Sequence, residues 1–213
     1  DQAMQLQKQG TWGTLPAIGS AYGGGFFAGQ IGVGGVATHN LVVGPVASAQ
    51  TILEWKNANT ATAGSDSDID GPQNTLDMVA DGNSTVYPSA HFCNDLSTGG
   101  QTDWYMPAKN ELEVCYYNLK PTITSNNTGG TNGINPNAVP ARASNYTSGN
   151  PAQTSVTDFQ NTGAEDFTGF YWSSTEFSAT NAGVQSFGNG SQDSNAKDVT
   201  GYFRVRAIRR VAV

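Results

Sequence analysis

Apolar residues in this chain occur in short runs between long polar stretches, and the first runs lie among glycines. Phe26, Phe27 and Ile31 stand within the glycine-rich segment 19–35, which is typical of a strand that enters a turn where glycine tolerates positive φ. A second run, 41–43, ends at a Gly-Pro pair. Runs of this length bounded by turn residues predict short buried strands.

Two later segments have helical periodicity. In residues 89–96 apolar side chains recur at every third position after a leading proline, and residues 108–119 carry a similar apolar face before a terminating proline. We expect two helices, with Glu111 and Glu113 in the first turns of the second, where the helix dipole favours acidic side chains. The apolar faces consist of Ala90, Cys93 and Leu96 in the first helix and of Leu112, Cys115 and Leu119 in the second.

The C-terminal part returns to strand-like patterns. Residues 170–176 form an aromatic run and 183–187 a shorter one, whereas 189–198 is polar and predicts a turn region. From 202 to 208 apolar residues alternate with cationic ones, which indicates a half-buried strand. The arginines of this last strand, Arg204, Arg206, Arg209 and Arg210, are expected to lie on an exposed face and to pair with nearby carboxylates.

The order of these elements favours an α+β domain. Strands, two helices, a long loop region and strands again succeed one another without the strand–helix alternation of a parallel α/β sheet. Segments 57–83 and 122–160 are small and polar and predict long loops, which are functional or mobile unless they hide short strands. We expect a connector over residues 1–18 and one domain over residues 19–213.

The first polar stretch contains a run of carboxylates with partial calcium-loop spacing. Asp66, Asp68 and Asp70 precede Gly71, and Asp77 stands at the twelfth position, as oxygen ligands do in a calcium loop. The match is partial, because Pro72 follows the glycine and the twelfth residue is Asp instead of Glu. The alternatives are a calcium site and an acidic, solvated turn.

The composition of the chain limits the classes of partner that it can bind. With 10 Lys and Arg against 17 Asp and Glu, the chain of 213 residues has a net charge of −7, which argues against nucleic acid and anionic membrane as partners. No apolar run is long enough to span a bilayer. Because the chain opens at Asp1 without a signal-like segment, we expect a processed form or a fragment. The two cysteines, Cys93 and Cys115, form either one bridge or two buried thiols.

No catalytic pattern emerges. The glycine-rich segment lacks the lysine of a phosphate-binding loop, and His39 and His91 stand apart from any nucleophile motif. Thiols on the apolar faces of helices are expected to be inert. A carboxylate pair of the glycosidase type cannot be placed from sequence. We therefore expect a chain that is not an enzyme and requires no cofactor, with calcium restricted to the acidic loop.

Three signatures together resemble the C-terminal domain family of collagen-like bacterial adhesins. They extend over about residues 19–213. The first is Asp70-Gly71 with Asn74-Thr75. The second is Gly99-Gly100 with Asp103-Trp104-Tyr105-Met106-Pro107 and Glu111-Leu112, and the third is Tyr171-Trp172-Ser173-Ser174-Thr175-Glu176 with Val205-Arg206-Ala207-Ile208-Arg209.

The resemblance implies a C-type-lectin-like fold, in which small twisted antiparallel sheets are flanked by two helices and long polar loops. It implies structural roles for Trp104 and Trp172, beside the buried Cys93 and Cys115. The loop 176–197 would be the recognition face, since its polar and aromatic side chains suit adaptable contacts. The expected ligand-binding residues are Thr175, Phe177, Thr180, Asn181, Gln185, Phe187, Asn189, Gln192 and Asn195.

The glycine-rich opening and residues 42–54 look like versions of this domain from phage tail fibres. That implies a receptor-binding domain at a fibre tip in the virion, acting as a homotrimer beside other tail proteins, with a bacterial surface glycan or protein as its receptor. The alternatives are a bacterial surface or secreted adhesin and a structural virion subunit. The carboxylate triplets of calcium-dependent lectins are missing, since Asn135-Pro136-Asn137 and Trp172-Ser173-Ser174 are the nearest segments, so sugar binding does not follow from the fold.

Overall fold

The computed structural model describes residues 14–213, which contain nine strands in two sheets, four α-helices and one short 3-10 helix. The predicted connector 1–18 lies mostly outside the described residues, but Ile18 packs on the core. The strands are β1 (Ala21–Tyr22), β2 (Gly25–Val33), β3 (Val36–Val43), β4 (Gln50–Ile52), β5 (Phe170–Glu176), β6 (Asn181–Ser186), β7 (Gln192–Ala196), β8 (Arg204–Arg206) and β9 (Ile208–Ala212). The helices are α1 (Val46–Ala49), α2 (Gly71–Asp81), α3 (Pro88–Asn94) and α4 (Lys109–Leu119), with the 3-10 helix at Thr157–Phe159.

The first sheet joins the two ends of the described chain. Its strand order is β1-β2-β3-β9, all antiparallel. The β2–β3 hairpin turns at Gly34 and Gly35, whose φ angles of 59° and 80° match the positive φ that a tight hairpin turn requires. The strands expected from the glycine-rich segment and from residues 41–43 are therefore present, and each is longer than its apolar run.

The second sheet has the order β4-β8-β5-β6-β7. Its pairs are antiparallel except β5 with β8, which run parallel, so the expectation of purely antiparallel sheets needs that correction. The aromatic run gives β5 as predicted. The polar turn predicted over 189–198 is wrong, because residues 192–196 form the edge strand β7, whose polar side chains carry no apolar alternation to reveal it.

Two of the helices were expected and α2 was not. The segments 89–96 and 108–119 give α3 and α4, while the long loop predicted over 57–83 contains α2. Asp70 caps α2 by accepting a hydrogen bond from the backbone of Gln73, and Pro72 lies in its first turn. Of the apolar side chains on α2, Met78 is buried, Val79 is partly buried beside it and Leu76 is exposed, so the apolar face is too narrow to predict the helix.

The buried side chains form two clusters on opposite faces of the second sheet. Consecutive residues of β5 divide between them, because Tyr171 packs with α4 and the first sheet, while Trp172 packs with α2 and α3. Cys115 belongs to the first cluster and Cys93 to the second, where Trp104 is also buried, and both thiols are free. Burial raises the pKa of each thiol far above its ordinary value, which keeps it in the unreactive protonated form.

Polar side chains organise the long segment 122–160. It contains the 3-10 helix and isolated bridges such as Asn135–Arg142 and Thr147–Asn150, without a regular strand. The amide of Asn126 donates to the carbonyl oxygens of Thr147 and Pro151 and accepts from the hydroxyl of Tyr116. Side-chain amides therefore satisfy backbone groups that a strand would otherwise pair.

Arg206, Arg209 and Arg210 pair with carboxylates as expected, whereas Arg204 has no such pair within residues 14–213. The expected exposure is wrong for Arg206 and Arg209. Arg206 is fully buried, and its guanidinium contacts the Glu165 carboxylate at 2.6 Å. Arg209 is also buried and holds Asp103 through two nitrogens at 2.6 and 2.8 Å. The strand breaks at Ala207 between β8 and β9, so the alternation of residues 202–208 does not continue in one sheet.

Within residues 14–213, none of the helices combines the length and apolar character needed to cross a bilayer.

Candidate functional site

A cleft of about 490 Å³ opens on the face of the second sheet against which α4 packs. Its floor consists of side chains from β5, β6 and β7, which point to this face at alternate positions. The opposite side is formed by the start of α4, by the loop before α2 and by Thr131 of the long segment. A volume of this size lies within the range of small-molecule sites.

Small residues on the central strands create the space. Gly183 of β6 lies beside Ser173 of β5, whose hydroxyl donates to the Gly183 carbonyl oxygen at 3.1 Å. A Cβ atom at position 183 would stand 2.6 Å from that hydroxyl oxygen. A larger residue would therefore collide with β5 on the floor of the cleft.

Gln185 on β6 has a buried amide without a partner. The side chain lines the cleft and is 2% exposed, yet within the described residues neither Nε2 nor Oε1 has a hydrogen-bond partner. Oε1 of Gln192, directly across on β7, is also buried without one. Because an unsatisfied buried amide is costly, each such group calls for an explanation.

Hydrogen bonds fix the far wall to the sheet. Thr175 is buried on β5, donates to the carbonyl oxygen of Ser67 and accepts from the backbone of Lys109 at the start of α4. Asn74 on α2 donates to the same Ser67 carbonyl and accepts from the Ser67 backbone. The loop that carries Asp66 and Asp68 is thereby tied to β5 and α2.

Carboxylates outnumber cations around the cleft. Asp66, Asp68, Glu176 and Asp193 line it together with one cation, Lys109, whose ammonium lies 3.4 Å from Asp68. The Glu176 carboxylate forms an ion pair with the buried Lys197 ammonium, 2.9 Å from it. Burial lowers the pKa of the Lys197 ammonium. The remaining charge at the mouth of the cleft is negative.

Four of the nine expected ligand-binding residues line this cleft, namely Thr175, Phe177, Gln185 and Gln192. Phe177 stands at the rim with 74% of its surface exposed. The other expected residues lie elsewhere. Thr180 lies in the turn between β5 and β6, and Asn181 is the first residue of β6. Asn189 shapes the next turn by accepting from the Ser191 backbone.

Phe187 and Asn195 also lie away from the cleft. The expectation of a recognition contact at Phe187 is wrong, because the ring is fully buried and stacks on Phe167 with the two ring centroids 4.1 Å apart. Asn195 lines a separate depression of about 190 Å³ beside Tyr202 and Phe170.

The acidic loop does not take the form of a calcium loop. The chain becomes helical at Gly71, the sixth position of the expected loop, and Asp70 caps that helix. Asp77 accepts from Gln73 on the same helix, while Asp68 pairs with Lys109. Within the described part of the chain no three His, Cys, Asp or Glu side chains form a group that could hold a metal ion. The calcium-loop geometry that the spacing predicted is therefore wrong, because α2 begins at Gly71.

Several cleft residues were not predicted. Ser173 and Lys109 belong to segments that had been assigned structural roles. Gly183, Asp193 and Ser194 lie within the expected recognition segment 176–197 but were not named as contacts. The period-two pattern of β5, which places Ser173 and Thr175 on one face, is the signal that could have identified the first of them.

Residues of the first two signatures form a buried structural network around Glu111. The buried Glu111 accepts from the Arg210 guanidinium at 2.7 Å and from the backbone of Ala108 and Gly71 at 2.9 and 3.2 Å. A Cβ at position 71 would meet the Glu111 carboxylate. Tyr105 also donates to Glu111, and burial raises the pKa of this tyrosine. Asn74 of the first signature donates to the Ser174 hydroxyl of the third, and Tyr105 of the second forms a backbone bridge with Ile208 of the third. The three sequence signatures thus meet in space.

These features define a small α+β domain with a polar cleft and a buried charged framework. A model of the Lcl C-terminal domain family matches residues 44–209, most of the chain. The chain therefore belongs to the Lcl C-terminal domain family, and the expected membership in the C-terminal domain family of collagen-like adhesins is confirmed. No curated protein matches the chain.

Proposed function

We propose that this chain is a receptor-binding domain that attaches to a bacterial surface through the cleft between β5, β6, β7 and α4. Membership in an adhesin-type family supports surface recognition in general. The observation that carries the proposal is the buried, unpartnered amide of Gln185 in the cleft. When a buried polar group has no hydrogen-bond partner in the free protein, a ligand that supplies the missing hydrogen bonds binds with a more favourable free energy.

The cleft supports binding better than catalysis. The family is of adhesin type and is not a known enzyme family. Lys109 is ion-paired with Asp68 at the cleft, and Glu176 with Lys197. The least satisfied groups are amides, which bind and orient ligands but do not act as general acids or bases at neutral pH.

The finer proposal places the domain at the tip of a phage tail fibre, as a homotrimer beside other tail proteins. Its support is the likeness of the glycine-rich opening and of residues 42–54 to phage versions of the domain, and the acidic charge of the chain. Several copies on one fibre would convert weak single-site binding into avidity. Display on a bacterial surface would use the same cleft.

The test is binding of the purified, fluorescently labelled chain to a panel of bacterial cells. We expect saturable binding that Gln185→Leu weakens roughly tenfold or more, because the ligand then loses its buried hydrogen-bond partner. Thr180→Ala, on the exposed turn outside the cleft, is the matched control and should bind like the unaltered chain. Binding by Gln185→Leu at full strength would contradict the proposal, and so would a chain that binds no cell in the panel.

A further inference from the structure

We infer that the cleft holds an extended, arginine-containing segment of a protein receptor. This inference rests on the proposed function and names the ligand class of the same site. It has two supports, the unpaired amide of Gln185 and the unpaired carboxylates of Asp66 and Asp193 in the same cleft.

The amide of Gln185 is complementary to a peptide group. Its Nε2 and Oε1 are both buried and without partners in the described residues, while the side chain lines the cleft. A primary amide donates from one atom and accepts at the other, and each peptide group carries one N–H and one C=O. An extended backbone in the cleft can therefore accept from Nε2 and donate to Oε1, whereas a lone cation can serve only the acceptor.

The unpaired charge of the cleft favours a cationic ligand group. Asp66 and Asp193 line the cleft and are exposed, and neither forms an ion pair within residues 14–213. Lys109 is the one cation among the described lining residues, and its ammonium lies 3.4 Å from Asp68. A cationic group gains from both unpaired carboxylates, and an anionic group would approach them without a free cation to pair with.

The rim of the cleft favours a guanidinium over an ammonium. The ring of Phe177 stands there with 74% of the residue surface exposed, and no cation of the described chain lies over it. A guanidinium is planar, stacks on aromatic faces and donates two parallel hydrogen bonds to one carboxylate. Arginine can therefore combine the aromatic contact with a bidentate carboxylate contact, which lysine cannot do.

The experiment titrates the isotopically labelled chain with three capped amino acids and follows the side-chain amide signals by NMR. The probes are N-acetyl-arginine N-methylamide, its citrulline analogue, which keeps the length and shape without the charge, and its lysine analogue. We expect the arginine probe to move the Gln185 amide signal with millimolar affinity. The citrulline probe should bind roughly tenfold more weakly, since it forms no ion pair with the exposed carboxylates, and the lysine probe should lie between the two.

One pair of variants tests the amide. Gln185→Leu should abolish the response to all three probes, read in this variant on the Gln192 side-chain amide and the Gly183 backbone amide, which line the same cleft. Gln30→Leu, at an amide already bonded to Asn40 outside the cleft, should leave the response unchanged. An undiminished response in Gln185→Leu would contradict the role of its amide.

A second pair of variants tests the charge. Asp66→Asn combined with Asp193→Asn should bring the arginine and citrulline probes to similar affinity. Asp158→Asn combined with Asp198→Asn removes two exposed charges that do not line the cleft and should preserve the preference for arginine. The inference is overturned if citrulline binds the unaltered chain as tightly as arginine, if lysine binds more tightly than arginine, or if no probe moves the Gln185 signal.

The cell assay separates this inference from the proposed function. Cells treated with trypsin, which is then inhibited and washed away, should lose binding of the unaltered chain, because trypsin cleaves surface proteins after arginine and lysine. If Gln185→Leu loses cell binding while no probe binds and trypsin has no effect, the receptor-binding proposal is supported and this inference fails. If the variant binds cells at full strength while the arginine probe still occupies the cleft of the unaltered chain, the cleft is a peptide site and the receptor proposal fails.

Discussion

Asparagine side chains hold together the part of this molecule that lacks regular structure. Asn135 is fully buried in the long segment, where its amide donates to the Asn110 carbonyl oxygen and the Glu113 carboxylate and accepts from the backbone of Asn137 and Ala138. Each of these groups is removed from water, so each needs the partner that Asn135 provides.

Replacement of Asn135 by alanine should lower the free energy of unfolding by about 3 kcal/mol, because several buried polar groups would lose their partners together. Urea denaturation measures the change. Asn145→Ala is the control, since Asn145 bonds to loop carbonyls at the exposed surface and should cost well under about 1 kcal/mol. Equal costs for the two variants would contradict a special role for Asn135.

Asp103 gives the molecule a pH-dependent contact. The Arg209 guanidinium, hydrogen-bonded to both carboxylate oxygens, holds the pKa of Asp103 below its ordinary value. A carboxyl whose pKa is lower in the folded state adds stability above its unfolded pKa of about 3.9, and that stability is lost as pH falls through the folded pKa. Since the side chain is about half exposed, the contribution stays below about 1 kcal/mol.

The measurement is the NMR titration of the Asp103 carboxyl carbon in the unaltered chain and in Arg209→Met. We expect the midpoint to rise towards the ordinary aspartate value in the variant. A midpoint that stays depressed without Arg209 would show that another group stabilises the charged form.

At the scale of elements, β8 depends on the fork geometry of one arginine. Arg206 donates from Nε to the Gly44 carbonyl oxygen and from its two terminal nitrogens to the backbone and the carboxylate of Glu165. A lysine there keeps the charge but cannot reach these acceptors in three directions. We expect Arg206→Lys to lower the unfolding free energy by about 3 kcal/mol, measured by denaturant titration.

Arg204→Lys on the same strand is the matched control, because Arg204 is only half-buried, and we expect its cost to be small. If Arg206→Lys is as stable as the control, the buried pair with Glu165 does not hold β8 in place.

The elements that the sequence predicted are those whose burial is apolar. β5, α3 and α4 carry aromatic or aliphatic side chains at the period of their secondary structure. α2 and β7 escaped prediction because they bury or pair polar residues, such as Asn74 on α2. Gln185 was expected among the ligand contacts, but its burial without a partner depends on the pairing of β6 with β5 and β7, which no local pattern specifies.

For the whole molecule, the decisive feature is that one sheet separates two cores. β5 contributes Tyr171 to the first cluster and Trp172 to the second, so neither cluster can open without disturbing the strand they share. We expect a single cooperative unfolding transition, as for one domain. This also tests the expectation that one domain extends to the end of the chain.

Two probes distinguish one transition from two. Trp55, Trp104 and Trp172 all lie in the second cluster. The fourth tryptophan, Trp12, lies outside the described residues and is replaced by phenylalanine for this test, so the tryptophan fluorescence reports on that cluster, while far-UV circular dichroism reports on the whole chain. Phe167→Ala removes a buried ring from the first cluster and should cost about 3–5 kcal/mol, which lowers the melting temperature by about 10 °C. If the sheet couples the clusters, the tryptophan signal must shift by the same amount as the dichroism, although no tryptophan contributes to the first cluster in the described residues. A tryptophan transition that stays in place while the dichroism shifts would show that the clusters unfold separately.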